Sequence, residues 1–100
     1  MQYFVNKYEN GGEVIISGDW TYRDYNNFFE ATAFVEDEDI KECVINLEHT
    51  DFVDSEALGM LLALNEASHK KYKIIIKKPN NKVRKLLETL QFDKIIKCEW

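Results

Sequence analysis

A short apolar strand pattern followed closely by a helical pattern is the feature that most constrains the fold of this chain. Residues 43–47 are Cys-Val-Ile-Asn-Leu, a nearly continuous apolar run of the kind found in a central strand covered on both faces. Asp54 and Ser55 come soon afterwards, and both residue types are preferred at helix N-caps. A strand–helix unit of this kind predicts an α/β fold with a largely parallel centre.

The helix that begins near Ser55 is predicted from apolar residues at helical spacing. Its inward stripe is expected to contain Leu58, Leu61, Leu62 and Asn65, widened by Ala57, Met60, Leu64 and Ala67. The hydroxyl of Ser55 would then lie near the positive end of the helix dipole, just beyond the carboxyl end of a strand. Ser55 is therefore a candidate switch residue, and a role as the helix N-cap is the structural alternative.

The chain before this unit predicts a hairpin and a helix. Tyr3–Tyr8 and Glu13–Ser17 are the expected strands, with Asn10-Gly11-Gly12 supplying positive φ angles at the turn. Gly18-Asp19-Trp20 is expected to end the second strand. The first helix is expected over Tyr22–Val35, with Tyr25, Phe28, Phe29 and Ala33 near helical spacing and with Thr21 and Asp24 as a capping box.

The C-terminal third predicts a strand, a helix and a closing strand. Tyr72–Ile76 is a second buried strand pattern, and Asn80 or Asn81 is expected to cap the following helix. Inward positions of that helix are Val83, Leu86, Leu87 and Leu90. Phe92–Cys98 is expected to close the chain as a strand or a turn and a strand. The order ββαβαβα, with a final β, predicts a single α/β domain over residues 1–100, with helices packed against a mixed sheet that is parallel in its centre.

Composition is that of an ordinary folded domain, with 45% hydrophobic and 31% charged residues. No apolar run approaches the roughly 20 residues that a membrane-spanning helix needs, and the first residues lack the layout of a secretion signal. Cys43 and Cys98 are too few for a disulfide framework, so we expect free thiols and a cytoplasmic protein.

Charge is divided unevenly along the chain. Residues 1–69 carry 15 acidic and three basic side chains, whereas residues 70–100 carry ten basic and three acidic ones. Nucleic-acid binding through Lys70–Lys85 is one interpretation. We favour solvated lysines that offset the acidic half, because no arginine-rich cluster or aromatic stacking pattern accompanies them.

Catalysis and metal binding find little support in the sequence. No Gly-x-Ser-x-Gly motif surrounds Ser55, there is no glycine-rich phosphate loop, and His49 is expected to be a loop residue. Cys43, His49 and Cys98 lack an obvious fourth zinc ligand, and the acidic run at 36–39 lacks the spacing of a calcium loop. We expect neither an enzyme nor a protein with a metal or another cofactor.

Residues 44–62, Val-Ile-Asn-Leu-Glu-His-Thr-Asp-Phe-Val-Asp-Ser-Glu-Ala-Leu-Gly-Met-Leu-Leu, resemble the signature of STAS domains, and in particular the stand-alone anti-sigma factor antagonists of bacteria. The hairpin that ends in Ser17-Gly18-Asp19, the Lys73–Lys77 strand and the helix at 81–87 also fall where that family has counterparts. This resemblance implies that a partner serine kinase, often itself an anti-sigma factor, phosphorylates Ser55, and that a serine phosphatase restores the free form that binds the partner. The expected binding surface consists of Phe52, Val53, Asp54, Ser55, Glu56, Leu58 and Gly59.

Two residues depart from the usual family pattern. Many members have a second Ser or Thr and then Gly where this chain has Glu56 and Ala57. This version is closer to a proteobacterial subset whose partners include response-regulator proteins with kinase or phosphatase modules. Release of a sigma factor and control of biofilm formation both stay open as outputs. A STAS-like scaffold or small-ligand module, with Ser55 only as a helix N-cap, is the alternative function.

Overall fold

In the computed structural model, which describes residues 1–100, five strands form one mixed sheet and three α-helices pack against it. The strands are β1 (Gln2–Tyr8), β2 (Gly11–Trp20), β3 (Glu42–Val53), β4 (Lys73–Lys77) and β5 (Lys97–Glu99). The α-helices are α1 (Tyr25–Ala31), α2 (Ser55–Ser68) and α3 (Asn81–Thr89). The predicted order of elements and the α/β fold class are confirmed. None of the helices is long and apolar enough to cross a membrane.

The strand order in the sheet explains where the helices lie. Strands pair in the order β1-β2-β3-β4-β5, with β1 antiparallel to β2 and all later pairs parallel. Three successive crossovers in the same direction, each right-handed, place α1, α2 and α3 on the same face of the sheet. The buried core is accordingly one cluster, in which side chains of all three helices meet one face of the strands.

The opposite face of the sheet carries no helix, but every residue from 43 to 47 is buried, so the prediction of a central strand buried on both faces is confirmed. Val44 and Ile75 pair across β3 and β4 on that face and lie outside the main core cluster. Phe4 of β1, which lies outside the same cluster, is 64% exposed. The apolar run at 43–47 therefore reflects burial among neighbouring strands as well as burial under helices.

The hairpin turn falls one residue earlier than predicted. Glu9 and Asn10 form the turn, and Asn10 alone has a positive φ there, at 65°. Gly11 and Gly12 belong to β2, where they pair with Tyr8 and Lys7. A Cβ on Gly11 would lie 2.6 Å from the Tyr8 ring, so any larger residue at this position would displace that ring.

The predicted helix Tyr22–Val35 is broken into three pieces. Residues 22–24 and 33–36 are 3₁₀ turns, and only Tyr25–Ala31 is α-helical. The Thr32 hydroxyl donates to the Phe28 carbonyl over 3.0 Å at the end of α1, the local side-chain bond that competes with helix continuation. The predicted Asp24 contact is confirmed, because its carboxylate accepts the Thr21 N–H over 2.8 Å. Tyr25, which belongs to the predicted helical pattern, is 60% exposed.

Two strands run further than predicted. β3 continues to Val53, so His49 is an exposed strand residue rather than part of a loop. β2 continues through Gly18 to Trp20, with register shifts between Ile15 and Ser17 and between Gly18 and Asp19. Such bulges let a strand continue while changing its direction.

The helical stripes were predicted more closely, with exceptions at their edges. Leu58, Leu61 and Leu64 of α2 are buried, but Leu62 is exposed. Val83 and Leu87 of α3 are buried, whereas Leu90, which follows the helix, is exposed. The free thiol of Cys43 is buried, whereas Cys98 is only partly buried.

Candidate functional site

Asp54 fixes the start of α2. One carboxylate oxygen accepts the Ala57 N–H over 2.8 Å, which makes Asp54 the N-cap. The other accepts the Tyr22 N–H over 2.9 Å, and the N–H of Asp54 itself donates to the Trp20 carbonyl over 3.2 Å. The helix start and the segment that follows β2 are therefore joined through one side chain.

Ser55 is the first helical residue and is exposed. The interpretation of Ser55 as the helix N-cap is wrong, because Asp54 fills that position. The Ser55 hydroxyl takes no part in the cap, and the residue is exposed to solvent. It also lies in the first turn of α2, where the helix dipole favours added negative charge.

Asn80 holds the end of β3 from the other side. It caps α3 by accepting the Val83 N–H over 2.8 Å, as predicted for one of the two asparagines. Its amide nitrogen donates to the carbonyls of Thr50 and Asp51 over 3.1 and 3.3 Å. The residues just before Ser55 are thus anchored to α3 as well as to β2.

Two grooves flank residues 51–56, which we call the Ser55 segment. The first has a volume of about 330 Å³ and is lined by Tyr22, Tyr25, Glu56, Gly59, Met60 and Ala63. The second has a volume of about 270 Å³ and is lined by Asp51, Phe52, Val53, Lys82, Val83 and Leu86. Both are largely apolar with charged groups at their edges, which is the composition of a surface that can hold part of another molecule.

The residues predicted to form the binding surface differ in their exposure to solvent. Phe52, Ser55, Glu56 and Gly59 are exposed, and Asp54 is partly buried. Val53 and Leu58 are buried in the core cluster, so their side chains support the surface from below.

Three further residues at this surface were missed from the sequence. Tyr22 and Tyr25 are 59% and 60% exposed and form one wall of the first groove, and Lys82 lies at the edge of the second. Tyr25 was predicted only as part of a helical pattern, and periodicity does not tell a core face from a binding face. The signal available for Tyr22 was its place beside a predicted cap.

Charge around Ser55 is mainly acidic. Asp51, Asp54 and Glu56 lie within four residues of the hydroxyl along the chain. The lysines of the C-terminal third are spread over a turn, two strands and α3. Lys97 and Lys77 reach Glu99 at 3.2 and 3.6 Å, and the hydrogen bond from Lys97 contributes most to lowering the pKa of Glu99.

Cys43, His49 and Cys98, which were considered as zinc ligands, do not form a metal-binding cluster. No group of three or more His, Cys, Asp or Glu side chains is placed to hold a metal ion. Burial raises the pKa of the Cys43 thiol to about 12.

Sequence and structure comparisons identify the family. The STAS domain family model matches residues 5–99, and the chain therefore belongs to the STAS domain family. Among curated proteins, no sequence matches the chain significantly.

The fold is shared with solved anti-sigma factor antagonists. One from Mycobacterium paratuberculosis is 21% identical, with a TM-score of 0.85 over 97% of this chain and 83% of that one. The Bacillus cell fate determinant SpoIIAA in its phosphorylated form is 13% identical, with a TM-score of 0.73 over 99% of this chain and 92% of that one. SpoIIAA in its unphosphorylated form is 14% identical, with a TM-score of 0.69 over 94% of this chain and 97% of that one.

Proposed function

We propose that this STAS domain is a phosphorylation-controlled protein-interaction switch in which Ser55 is the acceptor. The unphosphorylated form binds a serine kinase that acts as an anti-sigma factor, or a related response-regulator-linked protein. Phosphorylation of Ser55 releases that partner, and a serine phosphatase restores binding. The role is one of interaction rather than catalysis, in the cytoplasm.

The observation that carries this proposal is the exposed Ser55 hydroxyl on a rigid support between two apolar grooves. Asp54 takes over the cap, so modification of Ser55 removes no hydrogen bond that holds α2. The Asp54 and Asn80 contacts fix the backbone on both sides of the hydroxyl. The likeness to SpoIIAA, which is known in phosphorylated and unphosphorylated forms, supports the same chemistry here.

The chemistry of the switch is a reversible phosphoryl transfer. The Ser55 oxygen attacks the terminal phosphorus of a nucleoside triphosphate on the kinase, the bond to the diphosphate leaving group breaks, and the hydroxyl proton passes to a base of the kinase. Removal is a separate hydrolysis on the phosphatase: water attacks the phosphorus, the bond to the Ser55 oxygen breaks, that oxygen takes up a proton, and inorganic phosphate is released.

The free-energy balance favours loss of the partner over loss of the fold. A phosphate adds about −1.5 to −2 charges at neutral pH, and the dipole of α2 stabilises such charge by about 0.3–1 kcal/mol. In a closed interface the same phosphate lies beside Asp54 and Glu56 without water, where like charges cost on the order of several kcal/mol. Each 1.4 kcal/mol is about tenfold in affinity, so binding is lost while the domain stays folded.

The test is a pull-down from a host lysate with wild-type protein, Ser55→Asp and Ser55→Ala side by side, with bound proteins identified by mass spectrometry. Thr89→Asp is the matched control, because it adds the same charge at an exposed position of α3. We expect wild type, Ser55→Ala and Thr89→Asp to retain a kinase-like or anti-sigma-like protein, and Ser55→Asp to lose it. Identical proteins on all four baits would refute the switch and favour the scaffold or small-ligand alternative.

A further inference from the structure

Arg23 follows Tyr22, which lines the first groove, and it contacts the Tyr22 side chain. Its Nε donates to the Tyr22 hydroxyl over 3.0 Å, and its guanidinium carbon lies 5.5 Å from the centroid of the Tyr22 ring. Tyr22 in turn lines the groove together with Glu56 and Gly59, which belong to the first turns of α2. The guanidinium is therefore held by a residue that lines the groove beside the first turns of α2.

One hydrogen bond joins the residues that precede Arg23 and Ser55 in the chain. The Tyr22 N–H donates to the Asp54 carboxylate over 2.9 Å, and Arg23 and Ser55 are the next residues after each of them. Because the Cα atoms of adjacent residues are about 3.8 Å apart, Arg23 and Ser55 each lie one residue away from this hydrogen bond.

Arg23 has no carboxylate partner although it lies in the acidic part of the chain. It is one of only three basic residues among residues 1–69, which include 15 acidic ones. None of the ion pairs of the structure involves Arg23. Its five N–H donors are thus occupied only by a tyrosine hydroxyl and a ring face, whereas guanidinium geometry suits the bidentate binding of phosphate.

We propose that Arg23 is the intramolecular receptor of the phosphate on Ser55, and that it leaves the Tyr22 ring to bind it. This inference rests on the proposed function, because it takes Ser55 as the phosphorylated residue. It adds a second effect of phosphorylation: the Tyr22 side chain loses its cation, and the wall of the first groove changes. The groove that a partner meets then differs between the two forms in shape as well as in charge.

Four charged side chains near the phosphate can change its second pKa. Asp54 and Glu56 raise its second pKa by repulsion, Arg23 lowers it from one side, and Lys82 of the second groove is the cation on the other. The test installs phosphoserine at position 55 by genetic encoding and follows its second ionisation by ³¹P NMR titration, with no partner present. We expect the pKa to be about 0.5–1 unit lower in the wild-type phosphoprotein than in its Arg23→Gln variant.

Arg84→Gln is the matched control. Arg84 is likewise an exposed arginine over an aromatic ring, 5.7 Å from the centroid of Trp100, but on α3. Arg84→Gln should leave the phosphoserine pKa at the wild-type value, and Arg23→Lys should retain part of the lowering of that pKa. Equal pKa values for wild type and Arg23→Gln would overturn the proposal, as would a shift in Arg84→Gln of the same size. A rise in Lys82→Gln but not in Arg23→Gln would assign the receptor to the other groove instead.

The two proposals fail separately in these experiments. The phosphate is supplied by encoding, so the NMR result does not depend on a kinase or on partner release. A shifted pKa with an unchanged pull-down would keep Arg23 as the receptor and refute the switch. A lost partner with an unshifted pKa would keep the switch and refute the role of Arg23.

Discussion

Replacing Asp54 tests which residue caps α2 and what joins α2 to the segment after β2. Asp54→Ala removes the acceptor of the Ala57 N–H, a cap worth about 1 kcal/mol. It also removes the acceptor of the Tyr22 N–H, which is worth about 1 kcal/mol at this exposed position. We expect the free energy of unfolding to fall by about 2 kcal/mol in total.

Two variants separate the contributions. Asp54→Asn keeps an amide oxygen for the Ala57 N–H but replaces the second oxygen with an NH₂ group, which cannot accept from Tyr22. It should therefore lose about 1 kcal/mol, half of the Asp54→Ala effect. Ser55→Ala removes a side chain that is not part of the cap, so its effect should stay within about 0.5 kcal/mol.

Urea denaturation followed by tryptophan fluorescence measures these differences, since Trp20 is fully buried in the native core. Equal slopes with denaturant across the series are needed for the comparison. In thermal melts the Asp54→Ala loss corresponds to a decrease of about 8–16 °C in Tm. Destabilisation of Ser55→Ala by as much as Asp54→Ala would refute the assignment of the cap, and equal losses for Asp54→Asn and Asp54→Ala would refute the two separate contributions.

Three further predictions concern Gly59, the two cysteines and Tyr8. Gly59→Ala should raise the free energy of unfolding by about 1 kcal/mol in thermal melts, since an added Cβ meets no atom within 4 Å and alanine favours helix; a decrease would contradict the open position. Cys98 should react with iodoacetamide before Cys43 in the native protein, as followed by intact mass, because only Cys43 is fully buried; equal rates would contradict that burial. Burial, followed by the hydrogen bond to Glu42, raises the pKa of Tyr8 above its usual 10, so the stability linked to this phenol is complete below about pH 10 and is lost as the pH rises through the raised value. Tyr8→Phe should lessen the alkaline loss in urea melts, and an unchanged pH dependence would contradict the linkage.

The central part of the fold could be predicted because local and tertiary preferences agree there. The apolar run at 43–47, the helix from Ser55 and the cap at Asn80 each carry a strong local signal, and each forms near the expected place. Alternating strands and helices were enough to predict a mixed sheet with a parallel centre, whereas the order of the strands within the sheet came from the structure. The STAS resemblance rested on this same central part and is confirmed by the family match.

The segment between β2 and β3 could not be predicted in the same way. Aromatic residues at 22, 25, 28 and 29 give a helical pattern, yet Phe28 is fully buried whereas Tyr22 and Tyr25 are exposed. The end of α1 depends on the Thr32 hydroxyl and the Phe28 carbonyl, a local competition that hydrophobic periodicity does not contain.

The structure was also needed to tell which of Asp54 and Ser55 caps α2. Both residue types are good caps, and their order in the chain does not decide which one caps α2. The Tyr22 N–H decides it, because a carboxylate has two oxygens and can serve α2 and the 3₁₀ turn together, whereas a hydroxyl is a single oxygen. That contact joins residues 32 positions apart, so no local pattern reveals it.

The coincidence of strand order with chain order has a consequence for how the domain assembles. Each strand from β2 to β5 adds beside the strand that precedes it, so the sheet can grow from one edge as the polypeptide leaves the ribosome. No early strand waits for a distant one to complete its pairing, so each loop that must close is only one crossover long. The Ser55 segment is complete as soon as β3, α2 and the residue-80 anchor have emerged. Addition of β5, only three residues long, is then the last and most easily reversed step.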